Sequence, residues 1–336
     1  MRTVIALASL ALAGCALRPA MQETLLSGQT MGSAWTVKIA GPLPAHADDL
    51  RAGVQARFDA VNLALSTYRA DSALSRFNND DSGRWVDIDA ELGEVLAYAL
   101  SLAEDSGGAY DVTVGPLVNL WGFGPDPATH RVPDAAALET ARSRVGWHKV
   151  EVDAARRHAR KAPGVRVDLS SLGKGRGVDR AAEYLDMRGV TNYLIDLSGK
   201  LRAHGVNVHA APWRVAVEAP EADATSMHSA FEPEVVTLVD QSVATAGDYR
   251  RFFEIDGKHY SHIIDPRTGW PVKHQTVSAS AIASDCMQAD ALATVLMAMS
   301  PDAAGAFAKR RGVSALLIGR AGEEYLATHT GSWARK

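Results

Sequence analysis

Residues 242–271 read SVATAGDYRRFFEIDGKHYSHIIDPRTGWP, and at their centre Asp256-Gly257 separates the apolar runs 252–255 and 259–264. An Asp-Gly loop between two such runs accepts positive φ at both central positions and matches the twist of paired strands, so it specifies a β-hairpin. The return strand is predicted to carry Tyr260, His262 and Ile264 on one face and His259, Ser261 and Ile263 on the other. It breaks at Asp265-Pro266, and Thr268-Gly269 adds a second turn signal. A proton carrier and several polar groups are thereby gathered near one strand end.

The 336 residues suffice for one large domain or two smaller ones. A hydrophobic content of 47% is ordinary for a globular chain, and a net charge of −4 with no basic block argues against a nucleic-acid binder. Lys309-Arg310-Arg311 is short and reads as a solvated helix end. Arg2, an apolar run over 4–12 and then Ala13-Gly14-Cys15 make a secretory signal, far short of the ~20 apolar residues of a membrane span. Leu12-Ala13-Gly14-Cys15 looks like a bacterial lipobox. That implies cleavage after residue 14 and lipidation of Cys15, hence an anchor on the periplasmic side of a bacterial membrane, inner or outer. If Cys15 is lipidated, Cys286 has no disulfide partner, and its apolar setting reads as a buried structural thiol. The expected organisation is a signal over 1–14, a tether over 15–25 and one domain over 26–334.

Helices are predicted over 90–105 and 174–188, and after Asp48-Asp49 and Asp134. Two more cover 286–299 and 301–311. Strands are predicted over 30–39, 148–152, 165–169, 193–197, 206–208, 213–217, 235–239, 276–282 and 313–318, and in the hairpin. A Gly- and Pro-rich loop spans 119–133, and 218–233 is polar enough for a surface excursion. The fold class is mixed α/β (α+β), read as one two-lobed domain with mixed sheets flanked by helices.

Asp168-Leu169-Ser170-Ser171-Leu172-Gly173-Lys174-Gly175 reads as a strand passing through a small-residue turn into a helix start. Such a turn exposes N–H groups and the positive helix end, which suits phosphate. Its spacing matches neither a P-loop nor a dinucleotide fingerprint. Asp290 and Thr294 form an i, i+4 pair on an apolar helix. A carboxylate there needs a partner. A hard cation is one solution. The other has Asp285 as the N-cap and Asp290 in a salt bridge. Tyr68 suits stacking on an aromatic ring, or else ends a helix half-buried. Met31 beside Gly32 either admits a ligand close to the backbone or is a core methionine. Asp111 is otherwise a turn residue.

Met31-Gly32-Ser33, Leu65-Ser66-Thr67-Tyr68, Asp71-Ser72-Ala73-Leu74-Ser75, Tyr110-Asp111-Val112-Thr113-Val114-Gly115, the Asp168 to Gly175 run, the hairpin and Ala289-Asp290-Ala291-Leu292-Ala293-Thr294 occur in order along nearly the whole mature chain. In that order and spacing the chain resembles the ApbE family of FAD:protein FMN transferases. The resemblance implies that Met31, Tyr68, Ala109, Tyr110, Asp111 and Ile264 line a flavin slot and that Asp168 and Lys174 contact FAD. It places Mg²⁺ at Asp290 and Thr294 with help from position 171, here Ser171. It implies attack of a Thr or Ser hydroxyl on the FMN-side phosphorus of FAD with release of AMP. His262 is the candidate base, and Asp290 either shares that role or serves only as ligand. Arg267 contacts phosphate or closes a turn salt bridge. The implied acceptors are membrane redox subunits with a Ser/Thr flavinylation motif, of the Na⁺-translocating quinone reductase or Rnf type. FAD hydrolysis to FMN and AMP, and a non-enzymatic flavin-binding lipoprotein, are the alternatives. The chain departs from the family at Ala293, where some members have Asp, and at Ser198-Gly199-Lys200, where Gly-Gly and an acidic residue are common.

Overall fold

The computed structural model describes residues 21–124, 130–217, 233–248, 252–322 and 324–333. The expected signal and Cys15 lie outside them, as does most of the polar excursion after Val217. The first element among the described residues is a hairpin, β1 (Glu23–Thr30) and β2 (Ser33–Ala40), and β1 starts inside the segment expected as a tether. One strand over 30–39 is predicted by sequence. Instead Met31 and Gly32 both take positive φ, 47° and 69°, and the chain reverses there through a two-residue loop.

In α1 (Ala47–Leu65) the residues at helical spacing, Leu50, Val54, Phe58, Val61 and Leu65, are buried on one face. His46 is its N-cap, so Asp48 and Asp49 act on the first turn by charge rather than as caps. Ser72 caps the unpredicted α2 (Ala73–Asn79) by accepting from the Ser75 N–H at 2.9 Å. Then come β3 (Val86–Asp87), α3 (Ala90–Asp105), α4 (Gly115–Leu120) and α5 (Ala135–Arg142). Asp89 and Asp134 cap α3 and α5 through side-chain bonds of 2.7 Å. β4 (Val150–Asp153) and β5 (His158–Lys161) join β3 in a small sheet.

The strand predicted over 165–169 does not form. The Asn78 side chain takes the place of a neighbouring strand, accepting from the Val167 N–H at 2.7 Å and donating to its carbonyl at 2.8 Å. α6 (Ser170–Met187) begins four residues earlier than predicted, which moves Lys174 into the second turn. β6 (Tyr193–Leu197) and β7 (Lys200–His204) follow, and residues 206–208 turn rather than pair. The remaining elements are β8 (Trp213–Ala216), β9 (Val235–Leu238), β10 (Ser242–Gly247), β11 (Phe252–Ile255), β12 (Lys258–Ser261), β13 (Thr276–Ala283), α7 (Cys286–Ala298), α8 (Pro301–Arg311), β14 (Ser314–Ala321) and β15 (Glu324–Thr330).

Eight strands form one sheet in the order β1-β2-β6-β7-β10-β13-β14-β15. Every ladder among the described residues is antiparallel, where mixed sheets are expected from the sequence. For β1–β2, β6–β7 and β14–β15 the reason is local: they are hairpins whose short connections admit no crossover. The mixed α and β class stands. Alternation along the strands sorts two apolar layers. Trp35, Val37, Tyr193 and Ile195 face α1 and α6, while Ala279, Ala281, Ala315 and Leu317 face α7 and α8. Leu316 and Ile318 face the other way, against the β8–β9 ribbon. α7 is buried along nearly its whole length, and Asp290 is its one charged side chain.

Candidate active site

The site is built where the start of α6 crosses α7. Cys286 and Met287 open α7 with their N–H groups donated to the Asp179 carboxylate of α6, at 2.7 and 2.8 Å. Asp285 caps α7 by accepting from the Gln288 N–H at 2.9 Å. One turn later Asp290 points back at α6, and its Oδ2 accepts from the Gly175 N–H at 3.1 Å. Its Oδ1 lies 3.3 Å from the ammonium of Lys200 at the start of β7. Burial pushes the Asp290 carboxyl above its ordinary range, and Lys200 opposes that rise. Of the two arrangements open from the sequence, the cap and salt bridge are both present. A carboxylate offers about four lone-pair sites, and among the described residues Gly175 and Lys200 engage two of those of Asp290.

Around this centre the sequence motifs converge. Lys174 donates to the Ser33 hydroxyl at 3.0 Å, joining the Met31 turn to α6. Met31 packs against both main apolar clusters. The Tyr110 and Ser171 hydroxyls share a 2.8 Å hydrogen bond, and burial pushes the Tyr110 phenol up. The Asp168 carboxylate accepts from the Ser170 N–H at 2.8 Å, holding the first turn of α6. Thr294 stands one turn after Asp290 and donates to its carbonyl at 3.1 Å. The oxygen donors fit a hard cation of low protein coordination, which completes its shell with waters and substrate phosphates. Among the described residues no cluster of three or more His, Cys, Asp and Glu side chains exists.

Other predicted residues sit differently. Asp111 is buried with its carboxylate engaged inside the protein, accepting from the Thr113 N–H and hydroxyl and from the Trp147 N–H at 2.6–2.8 Å. That is the turn role. Tyr68 lies between α1 and α2 with 71% of its surface exposed, not at a half-buried helix end. Ala109 lines a cavity of about 670 Å³ together with Asp265, Arg267 and His274, and Ile264 is buried next to that wall. Asp290 and Thr294 do not line this cavity.

Asp256-Gly257 turns the β11–β12 hairpin as predicted. Pairing stops at Ser261, whose hydroxyl accepts from the Ile263 N–H at 3.2 Å. His262 therefore sits in a bend just past the strand, where the sequence puts it within the strand. Tyr260 and Ile264 join an aromatic cluster with Trp121 and Phe253, and the His262 ring meets Phe123 edge-on at 6.2 Å. Arg267 bonds the Asp265 carboxylate at 2.9 Å, the turn salt bridge. The sequence marks Lys200 as a departure but assigns it no contact, and Gly175 and Ser33 stand in motifs without a role. Only the crossing of α6, α7 and β7 reveals what they touch.

The sequence profile of the ApbE family matches residues 31–317. The FAD:protein FMN transferase of Vibrio cholerae is 40% identical over 94% of this chain and 92% of its own length. The transferase of Klebsiella pneumoniae is 38% identical over 91% of this chain and 87% of its own. Among solved structures, the flavin transferase ApbE from Vibrio cholerae superposes with a TM-score of 0.85 at 36% identity, covering 93% of this chain and 98% of that one. The apo flavinyl transferase ApbE of Pseudomonas stutzeri also reaches 0.85, at 34% identity, covering 94% and 96%. A mixed α and β fold is thus shared with flavin transferases. The chain belongs to the ApbE family.

Proposed function

We propose that the protein is a Mg²⁺-dependent FAD:protein FMN transferase, anchored by a lipid on Cys15 and facing the periplasm. Membership of the family supports the activity. The observation that carries the site is the buried Asp290 carboxylate, held by the Gly175 N–H and flanked by Lys200 and Lys174. A carboxylate and lysines at one helix crossing suit a pyrophosphate and its counter-cation.

Asp290 and Thr294, with Ser171, would hold Mg²⁺, which when bound would neutralise charge on the pyrophosphate. Lys174 and the first turn of α6 orient the phosphates, and Asp168 fixes that turn. Met31, Tyr68, Tyr110, Ile264 and the main chain at Ala109 and Asp111 receive the flavin half. His262 takes the proton of an acceptor Thr or Ser hydroxyl. The hydroxyl oxygen bonds to the FMN-side phosphorus, the bond from that phosphorus to the AMP-side bridging oxygen breaks, and AMP leaves. The acceptors are membrane redox subunits, of the Na⁺-translocating quinone reductase or Rnf type.

The test mixes the full chain in detergent with FAD, Mg²⁺ and an acceptor domain carrying a Ser/Thr flavinylation motif. The expected result is in-gel flavin fluorescence on the acceptor, with equimolar AMP. AMP and free FMN with two different acceptors left dark would replace the transferase by a hydrolase. Stable FAD binding without AMP would leave a flavin carrier.

A further inference from the structure

We propose that Lys200 is a built-in cation of the pyrophosphate site, so that the site takes one divalent ion per chain; this rests on the flavin transferase reading. Lys200 begins β7 opposite Ala244 of β10. Its ammonium donates to the Thr245 main-chain carbonyl and lies 3.3 Å from Asp290 Oδ1. The Lys200 side chain is 13% exposed and that of Asp290 4%, so the pair is almost withdrawn from water and its charges are fixed in place. Two oxygens on two different elements hold the ammonium, a main-chain carbonyl and a carboxylate. They are the ligand types a bound metal cation would use.

The charge count limits the occupants. Asp290 is the one acidic side chain of α7, and Ala293, the residue before Thr294, is buried and apolar. Lys200 and Lys174 bring two positive charges to Asp290, and the Asp196 carboxylate of β6 adds a second negative charge beside Lys200. One divalent ion and a pyrophosphate of about two negative charges keep the total near neutral, whereas a second divalent ion would face uncompensated repulsion. Lys200 then acts oppositely on the two ligands. It repels a divalent ion that shares its carboxylate, and it attracts the anionic pyrophosphate. A side chain with a merely structural role would weaken both when removed.

Lys200→Met, Lys200→Gln and Lys200→Arg in the full chain test this. Mn²⁺ binding without FAD is read from the EPR signal of the free ion, and FAD binding at fixed Mg²⁺ from quenching of flavin fluorescence. The expected result is Mn²⁺ affinity raised about tenfold and FAD affinity lowered about tenfold in K200M and K200Q. K200R should stay near the wild type, and wild type with FAD should bind one Mn²⁺ per chain. Both affinities falling together, neither moving, or two Mn²⁺ per wild-type chain would overturn the proposal. Loss of the fold in both K200M and K200Q would do so too, by making the ammonium structural. A wild type that flavinylates its acceptor while K200M binds both ligands unchanged sinks only the Lys200 proposal. A wild type that binds no FAD removes the transferase reading and this inference with it.

Discussion

Gly175 of α6 lies against the Cys286 carbonyl of α7, and a β-carbon on Gly175 would stand 2.8 Å from the Cys286 carbonyl carbon and the Met287 Cα. All the crowding atoms are backbone, so no side chain can swing away. The same glycine donates its N–H to Asp290. Gly175→Ala should therefore cost about 3 kcal/mol through overpacking and misplace Asp290 as well. Melting should drop by about 5 °C or more, with loss of AMP release. A stable, fully active variant would show that the helices can part freely.

Asp290→Asn keeps an acceptor for the Gly175 N–H and removes only the charge. It should lower AMP release by about a hundredfold or more, because the cation loses its carboxylate. The fold should survive, since no volume changes in a tightly packed helix. Unchanged activity in this variant would remove Asp290 from the site.

His262→Ala should slow FMN transfer by about 10²–10⁴-fold while FAD affinity stays near the wild-type value. Parallel rate and binding measurements decide the matter. Equal losses in both would make the ring a packing partner of Phe123 instead.

Tyr68 exposes 71% of its surface, so its ring contributes little to the core. Tyr68→Ala should leave the melting temperature unchanged. It should weaken FAD binding by about five- to tenfold, the worth of one aromatic stack. A large loss of stability with intact FAD affinity would contradict this.

Glu91 accepts from Arg180 at 2.6 and 2.8 Å and also from Arg176, tying α3 to α6. Burial pulls its pKa upward, but the two guanidinium groups overcome that and hold it below the ordinary 4.5. A lowered carboxylate pKa stabilises the fold above about 4.5, and that contribution is lost as pH falls through the lowered value. Relative to Glu91→Gln, the wild type should keep an advantage of about 1 kcal/mol at neutral pH, allowing for solvent screening. The gap should close on acidification below pH 4.5, measured by urea unfolding across pH. A constant gap would disprove the charge argument.

What was legible in the chain was what a few neighbouring residues decide. Asp256-Gly257 reverses the backbone because its own φ angles demand it. Asp134 caps its helix as read, and Asp285 takes the N-cap of one of the two readings, whereas His46 rather than Asp48-Asp49 caps α1. The faces of α1 and α3 follow from helical spacing, and the motifs of the family keep their order. Met31 escaped this reading because Trp35, Val37 and Ile39 carry a strand pattern through which a two-residue turn is hard to see.

The sequence alone therefore determined the Asp256-Gly257 hairpin, the Asp134 cap, the buried face of α1 and the family. Tertiary structure decided that Asn78 replaces a strand beside Val167, that α6 and α7 meet at Gly175, and that Lys200 reaches Asp290 from 90 residues away in the chain. Local preferences act through bonds and near neighbours, and they can be read along the chain. Contacts between distant segments depend on how whole elements bury their apolar faces together, and only the packed fold fixes those distances.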